Sequence, residues 1–220
     1  MDIMYIIIFL IPLLAQINVS STYKKYLKVN SKCDLTGYDI AKKILKKNGL
    51  DDLYIVETKG TMTDHYDPTR KIVRLSTDVY NKTSVSSIAI AAHECGHAIQ
   101  DKEGYFFLRI RSMIYPVVSL ANKVAYVLIF IGAILEFVDL ISVGILFVGL
   151  GLVFQLITLP VEIDASRRAL KEMKNCGVLK SDTDGVKEML KSAALTYVAG
   201  VLSSALEVFR LIMIYGSRRD

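Results

Sequence analysis

At 220 residues the chain can form one domain, or one domain with membrane segments. A hydrophobic fraction of 52% and a mean hydropathy of +0.38 are high for a soluble globule, and the apolar residues gather in a few long runs, which excludes a single large water-soluble core. The net charge of +5 comes from lysines beside an apolar run, a bilayer-flank pattern that argues against nucleic acid as the partner, and three widely spaced cysteines, Cys33, Cys95 and Cys176, exclude a disulfide framework.

The first apolar run, Met4 to Val19, has no preceding basic residue and no clear cleavage site, and reads as an uncleaved anchor. Lys24, Lys25, Lys28, Lys32, Lys42, Lys43, Lys46 and Lys47 follow, opposed only by Asp34 and Asp39, which places this flank in the cytoplasm and the N-terminus outside. Thr36 to Asn48 reads as a helix stopped by Gly49. Leu53 to Thr58 and Lys71 to Ser76 read as short strands, the second as an edge that can pair with an extended peptide, and Asp64 to Pro68 reads as a turn. From Ser84 the chain is alanine-rich and helical up to Gly104. Val117 to Leu135 and Ile141 to Leu159 form a hairpin whose turn, Glu136 to Asp139, is acidic and therefore outside. The helix that carries Val161 onward is expected to start at Pro160. The last run, Ala193 to Tyr215, contains Glu207 and Arg210, i,i+3 neighbours that can pair; if it spans, Arg218 and Arg219 lie outside against the charge rule, and otherwise it is buried against the domain.

The chemistry lies in His93-Glu94-Cys95-Gly96-His97, an H-E-x-x-H pattern. On a helix, residues i and i+4 share a face, so both imidazoles can reach one Zn2+ ion, and Glu94 can act as general base toward a water beside it. Ala89, Ala91, Ala92, Gly96 and Ala98 keep this helix thin, so that other elements can approach closely. Cys95 needs no role beyond packing. Zinc needs a third protein ligand. Glu103 would point away from the histidine face on a continuing helix, because Gln100 stands where a chain-reversing glycine would be needed. Glu136 and Asp139 lie across the membrane, whereas Glu162 and Asp164 return to the histidine side after two crossings. Of the remaining polar residues, His65, Asp164 and Arg168 are candidates for substrate binding or for supporting the ligands, with a turn residue and a topology signal as the plain readings of His65 and Arg168.

The runs Asp64-His65-Tyr66-Asp67-Pro68, Val73-Arg74-Leu75-Ser76, Ala91 to Asp101 and Leu159 to Ala169 together resemble the YugP-like membrane zinc metallopeptidases over nearly the whole chain. These are in turn similar to the HtpX-like and CAAX-prenyl-protease gluzincins. The resemblance implies a proteolytic activity and a third ligand in an E-x-x-A-D motif, which here reads Glu162-Ile163-Asp164-Ala165-Ser166, with serine where the relatives carry aspartate. Helix geometry favours the same residue: Glu162 shares its face with Ala165, Ser166 and Ala169, all small, whereas Asp164 shares its face with Arg167, Arg168 and Lys171 and is explained by an ion pair.

The expected fold is mainly α with a small β-sheet, a zincin-like α+β domain plus three or four transmembrane helices. Its divisions are an anchor at 1–20, a cytoplasmic zincin-like domain at 21–115, a transmembrane hairpin at 116–160, a third-ligand helix and linker at 161–192, and an apolar helix at 193–220. The expected function is a multi-pass cell-membrane zinc metallopeptidase acting on peptides or membrane proteins from the cytoplasmic side. A membrane scaffold or chaperone with a non-catalytic zinc site is the rival, disfavoured because Cys33 and Cys176 lack metal-ligand spacing. A small transporter would want polar residues at mid-membrane in both hairpin arms, and Val124 to Leu135 has none. The oligomeric state is not set by the sequence.

Overall fold

The computed structural model describes residues 3–179 and 183–215; Arg218 and Arg219 lie outside the described residues. In chain order the elements are α1 (Ile3–Leu27), α2 (Gly37–Lys47), β1 (Tyr54–Thr58), β2 (His65–Asp67), β3 (Ile72–Ser76), α3 (Thr77–Asn81), α4 (Val85–Lys102), α5 (Phe106–Ile134), α6 (Val138–Asn175) and α7 (Thr183–Tyr215). Helices α1, α5, α6 and α7 are each long and apolar enough to cross a membrane, so the last apolar run joins the other three as a candidate span. The chain divides into two compact units, one from Met1–Gln16, Phe106–Pro160 and Thr196–Asp220, the other from Ile17–Tyr105 and Val161–Leu195.

The first unit is built from the apolar stretches, and small residues set its packing. At Gly144 of α6 a Cβ atom would meet the Ala125 carbonyl oxygen of α5 at 2.8 Å, so the hairpin arms approach to a distance only glycine allows. Pro12 lacks an N–H and leaves the Ile8 carbonyl of α1 without its helical donor. Ser203 of α7 donates its hydroxyl to that oxygen at 2.8 Å, which satisfies a backbone group that lipid could not. Arg210 donates to both Glu207 carboxylate oxygens, at 2.9 and 3.1 Å, and its guanidinium lies over the Tyr5 ring at 3.7 Å, so this charged pair is neutralised inside the unit.

The second unit has a conventional core. Thr36 caps α2 with a complete capping box: it accepts from the Asp39 N–H, and Asp39 accepts from the Thr36 N–H. The sheet has the order β1-β3-β2, with β1 parallel to β3 and β2 antiparallel to it in the register His65↔Arg74, Tyr66↔Val73 and Asp67↔Ile72. Two expectations change here. The strand ending at Ser76 is central rather than an edge, because alternate residues Val73 and Leu75 are both fully buried and its backbone is paired on both sides. The segment Asp64 to Pro68 is mostly strand rather than turn: three residues are too few to display alternation, and the turn falls after it, where Asp67 Oδ1 accepts from the Thr69 and Arg70 N–H groups. Helix α4 begins at Ser84, whose hydroxyl accepts from the Ser87 N–H at 3.1 Å, and Ile88, Ala91, Ala92 and Cys95 bury its core face. Helix α6 runs through Pro160 without restarting there, since a proline costs one internal bond and can be carried inside a long helix.

Candidate metal centre

Two helices of the second unit build the centre. At Gly96 a Cβ atom would sit 2.5 Å from the Ala165 carbonyl oxygen, so α4 and α6 touch backbone to backbone one residue away from His97 and three from Glu162. That contact is the reason for the small residues on both faces. His93 and His97, one turn apart on α4, set their rings edge to face with centroids 4.8 Å apart. Glu162 Oε2 lies 3.2 Å from His93 Nε2 and 3.4 Å from His97 Nε2.

The donor set fits zinc. One ligand atom from each of His93, His97 and Glu162 lies within 4.8 Å of the others, and among the described residues no cysteine joins the group. Two imidazole nitrogens and a carboxylate oxygen suit a borderline metal ion, and three protein donors is the number found in catalytic zinc sites, whereas structural sites take four. Glu162 is 2% exposed. Burial alone would raise its carboxyl, but the hydrogen bonds to His93 and His97 outweigh it and hold the group well below the ordinary carboxylate range.

Each ring nitrogen on the far side has its own neighbour. Ser166 Oγ lies 3.2 Å from His93 Nδ1, so this serine, one turn beyond Glu162, reaches the ring. Gln100 Oε1 lies 3.0 Å from His97 Nδ1, and Gln100 Nε2 donates to the Val161 carbonyl and to Asp164 Oδ2. Asp164 is paired with Arg168, and Arg168 with Glu103.

Glu94 is buried beside this cluster, 7% exposed. Burial pushes its carboxyl up to about 7, helped by the nearby Asp64 and Glu162 charges and opposed by His93 and by a hydrogen bond from the Tyr66 N–H of β2. Asp64 is itself raised by burial, against hydrogen bonds from the Ser76 N–H and hydroxyl. Burial also pushes the Cys95 thiol well above its usual range, and the side chain packs against the Ala41 carbonyl.

The structure therefore brings His93, His97, Glu162 and Glu94 together. It turns Asp164 and Arg168 toward each other, with Asp164 one hydrogen bond removed from the cluster through Gln100. His65 is not one of the grouped donors; it is exposed at the start of β2 with Nδ1 2.9 Å from the Thr63 carbonyl oxygen. Two participants are not evident from the motifs, Gln100 and the Tyr66 N–H, whereas Ser166 stands in the run that carries Glu162. Gln100 had a signal, a polar residue at helix spacing from His97 on an otherwise small or apolar face. The Tyr66 contact had none, because it depends on how the sheet lies against α4.

A family described as "Putative neutral zinc metallopeptidase" matches residues 1–216 of the chain. The chain is also similar to the "Putative membrane protease YugP" of Bacillus subtilis (strain 168), with 45% identity over 207 residues, covering 94% of this chain and 92% of that protein. No solved structure matches it. With a match of that extent and a donor set suited to the metal, the chain belongs to this zinc metallopeptidase family.

Proposed function

We propose that the protein is a membrane-bound zinc endopeptidase in which His93, His97 and Glu162 hold the metal and Glu94 is the general base. The observation that carries this reading is the convergence of exactly one ligand atom from each of three residues on two helices, with a buried carboxyl next to the first histidine. Zinc, when bound, supplies a Lewis acid that polarises a carbonyl and acidifies water. Glu94 takes the proton of the attacking water and returns it to the leaving amine nitrogen, and the Tyr66 N–H steadies its carboxyl meanwhile. The outer edge of β2 offers an extended substrate the backbone pairing that β3 cannot. Four candidate spans make membrane proteins and their juxtamembrane segments the natural substrates.

The test is to incubate the purified protein and its Glu94→Gln variant with a library of membrane proteins and map new termini by mass spectrometry. The variant should retain zinc and lose cleavage by several orders of magnitude, as expected when the water loses its base. Equal turnover by the two proteins defeats the mechanism.

We further propose that the centre faces the cytoplasm, from the eight lysines between positions 24 and 47 and the acidic hairpin turn. In a background lacking the native cysteines, Asp139→Cys should react with a membrane-impermeant thiol reagent in intact cells and Asn30→Cys should not. The opposite pattern puts the centre outside.

A further inference from the structure

Gln100 is fully buried, at 0% exposure, three residues beyond His97 on α4. The two ends of a carboxamide are distinguished by what surrounds them. One terminal atom lies 2.8 Å from the Val161 carbonyl oxygen and 2.9 Å from Asp164 Oδ2. A carbonyl oxygen can only accept, and the Asp164 carboxylate paired with Arg168 is an acceptor too, so this end must be the NH2 group. The other end is then the oxygen, and it lies 3.0 Å from His97 Nδ1. An amide oxygen cannot donate, so Nδ1 carries the ring proton. In the neutral ring that binds a metal, the lone pair of His97 is then on Nε2, the atom that faces Glu162.

We propose that Gln100 is a positioning residue for the metal centre, with two ends that act on two ligands. Its oxygen fixes the tautomer and ring orientation of His97. Its NH2 group ties α4 to α6 at Val161, the residue before Glu162, and so sets where the third donor stands. The choice of amide follows from the three partners. A glutamate at position 100 could accept from His97, but its second oxygen would confront the Val161 carbonyl and the Asp164 carboxylate with no proton between them. A methionine would fill the space and bond to none of them. Gln100 thus holds the ligand imidazole with a neutral group, and the nearest negative charge behind it, on Asp164, is already offset by Arg168. In His93 the corresponding neutral group is the Ser166 hydroxyl.

The inference rests on the zinc reading of the site but not on peptidase activity, and its test reads neither cleavage nor turnover. The full-length protein is labelled with 15N-histidine, loaded with Zn2+ in detergent and studied by NMR; with three histidines in the chain, each ring can be identified. Zinc affinity is measured in parallel by competition with a chelator. In the unaltered protein the His97 Nδ1 proton should exchange slowly, as expected of a buried hydrogen bond. Gln100→Met should abolish that protection, leave the His93 ring proton as it was, and weaken zinc binding by roughly 10–100-fold, the usual scale for a lost contact behind a metal ligand. Gln100→Glu should weaken it as well despite its matched size, which a simple packing role does not predict. Ser166→Ala should alter the His93 ring proton and spare that of His97. A His97 ring proton on Nε2 in the unaltered protein, or one that exchanges freely, overturns the proposal even if every variant fails to fold. Zinc affinity of Gln100→Met within threefold of the unaltered protein overturns it too. Failure of the unaltered protein to bind zinc overturns the reading of the whole site, and this inference with it.

Discussion

Glu162 and Asp164 stand two positions apart on α6 and face opposite ways. Two residues on a helix differ by about 200° in direction, so one faces His93 and His97 while the other faces Arg168. Removing each should separate binding from support. Glu162→Ala should weaken zinc binding well beyond the roughly 10–100-fold that supporting contacts are worth. Asp164→Ala should keep zinc within about tenfold, because Gln100 still has the Val161 carbonyl as acceptor, and should cost roughly 1–3 kcal/mol of stability through the unpaired Arg168. Chelator competition and thermal unfolding read the two effects independently, and an equal loss of zinc in both variants would contradict the division. At this scale the sequence was informative where chemistry is local. The H-E-x-x-H spacing states its own geometry, and the small face beside Glu162 points to it over Asp164. Gln100 reads in the sequence only as the absence of a glycine, although its spacing from His97 puts it on the same helix face.

The element that sets the centre is the α4–α6 contact. Adding a methyl group at Gly96 would bring a Cβ atom to 2.5 Å from the Ala165 carbonyl oxygen and 3.1 Å from its Cα, and backbone cannot swing aside as a side chain can. Gly96→Ala should therefore push the helices apart, cost about 1–3 kcal/mol as overpacking does, and lower zinc affinity although no ligand is changed. Gly149→Ala is the matching control: it lies on α6 with nothing within 4 Å of the added carbon, and should leave zinc binding unaltered. A thermal scan with and without zinc checks both, and a Gly96→Ala protein that binds zinc normally would show that the ligands tolerate a wider spacing. Elements were readable in proportion to the signals at their ends. Helix α2 carries Thr36 and Asp39 at its start, and α4 carries Ser84, so both were placed closely. Strand β2 is three residues long beside Pro68 and shows composition of a turn, and the central place of β3 depends on pairing partners on both sides that local sequence does not name.

For the whole molecule, the proposed centre would link metal to fold, because its donors on α4 and α6 are 69 positions apart between His93 and Glu162. A ligand that binds only the folded form stabilises it by about 2.7 kcal/mol at a hundredfold excess over its dissociation constant. Stripping zinc from the full-length protein should therefore lower its unfolding temperature, and Glu162→Ala should make that temperature insensitive to zinc. An unfolding temperature in the unaltered protein that does not respond to metal would mean that no ion bridges the two helices. Membership of the family was legible at this scale because its motifs stand in a fixed order from Asp64 to Ala169, interleaved with the apolar runs, and the family match extends over residues 1–216.

The same separation has a consequence for biosynthesis. A chain still attached to the ribosome presents His93 and His97 long before Glu162 exists, and the two halves of the centre are divided in sequence by an entire apolar hairpin. Two imidazoles on one helix lack the third donor, and Gly96 has no Ala165 to meet. If the proposed centre is correct, the nascent protein is inert until α6 has been made and seated, because only then do the three donors meet. A centre assembled in this way is withheld during insertion by the order in which its residues are written.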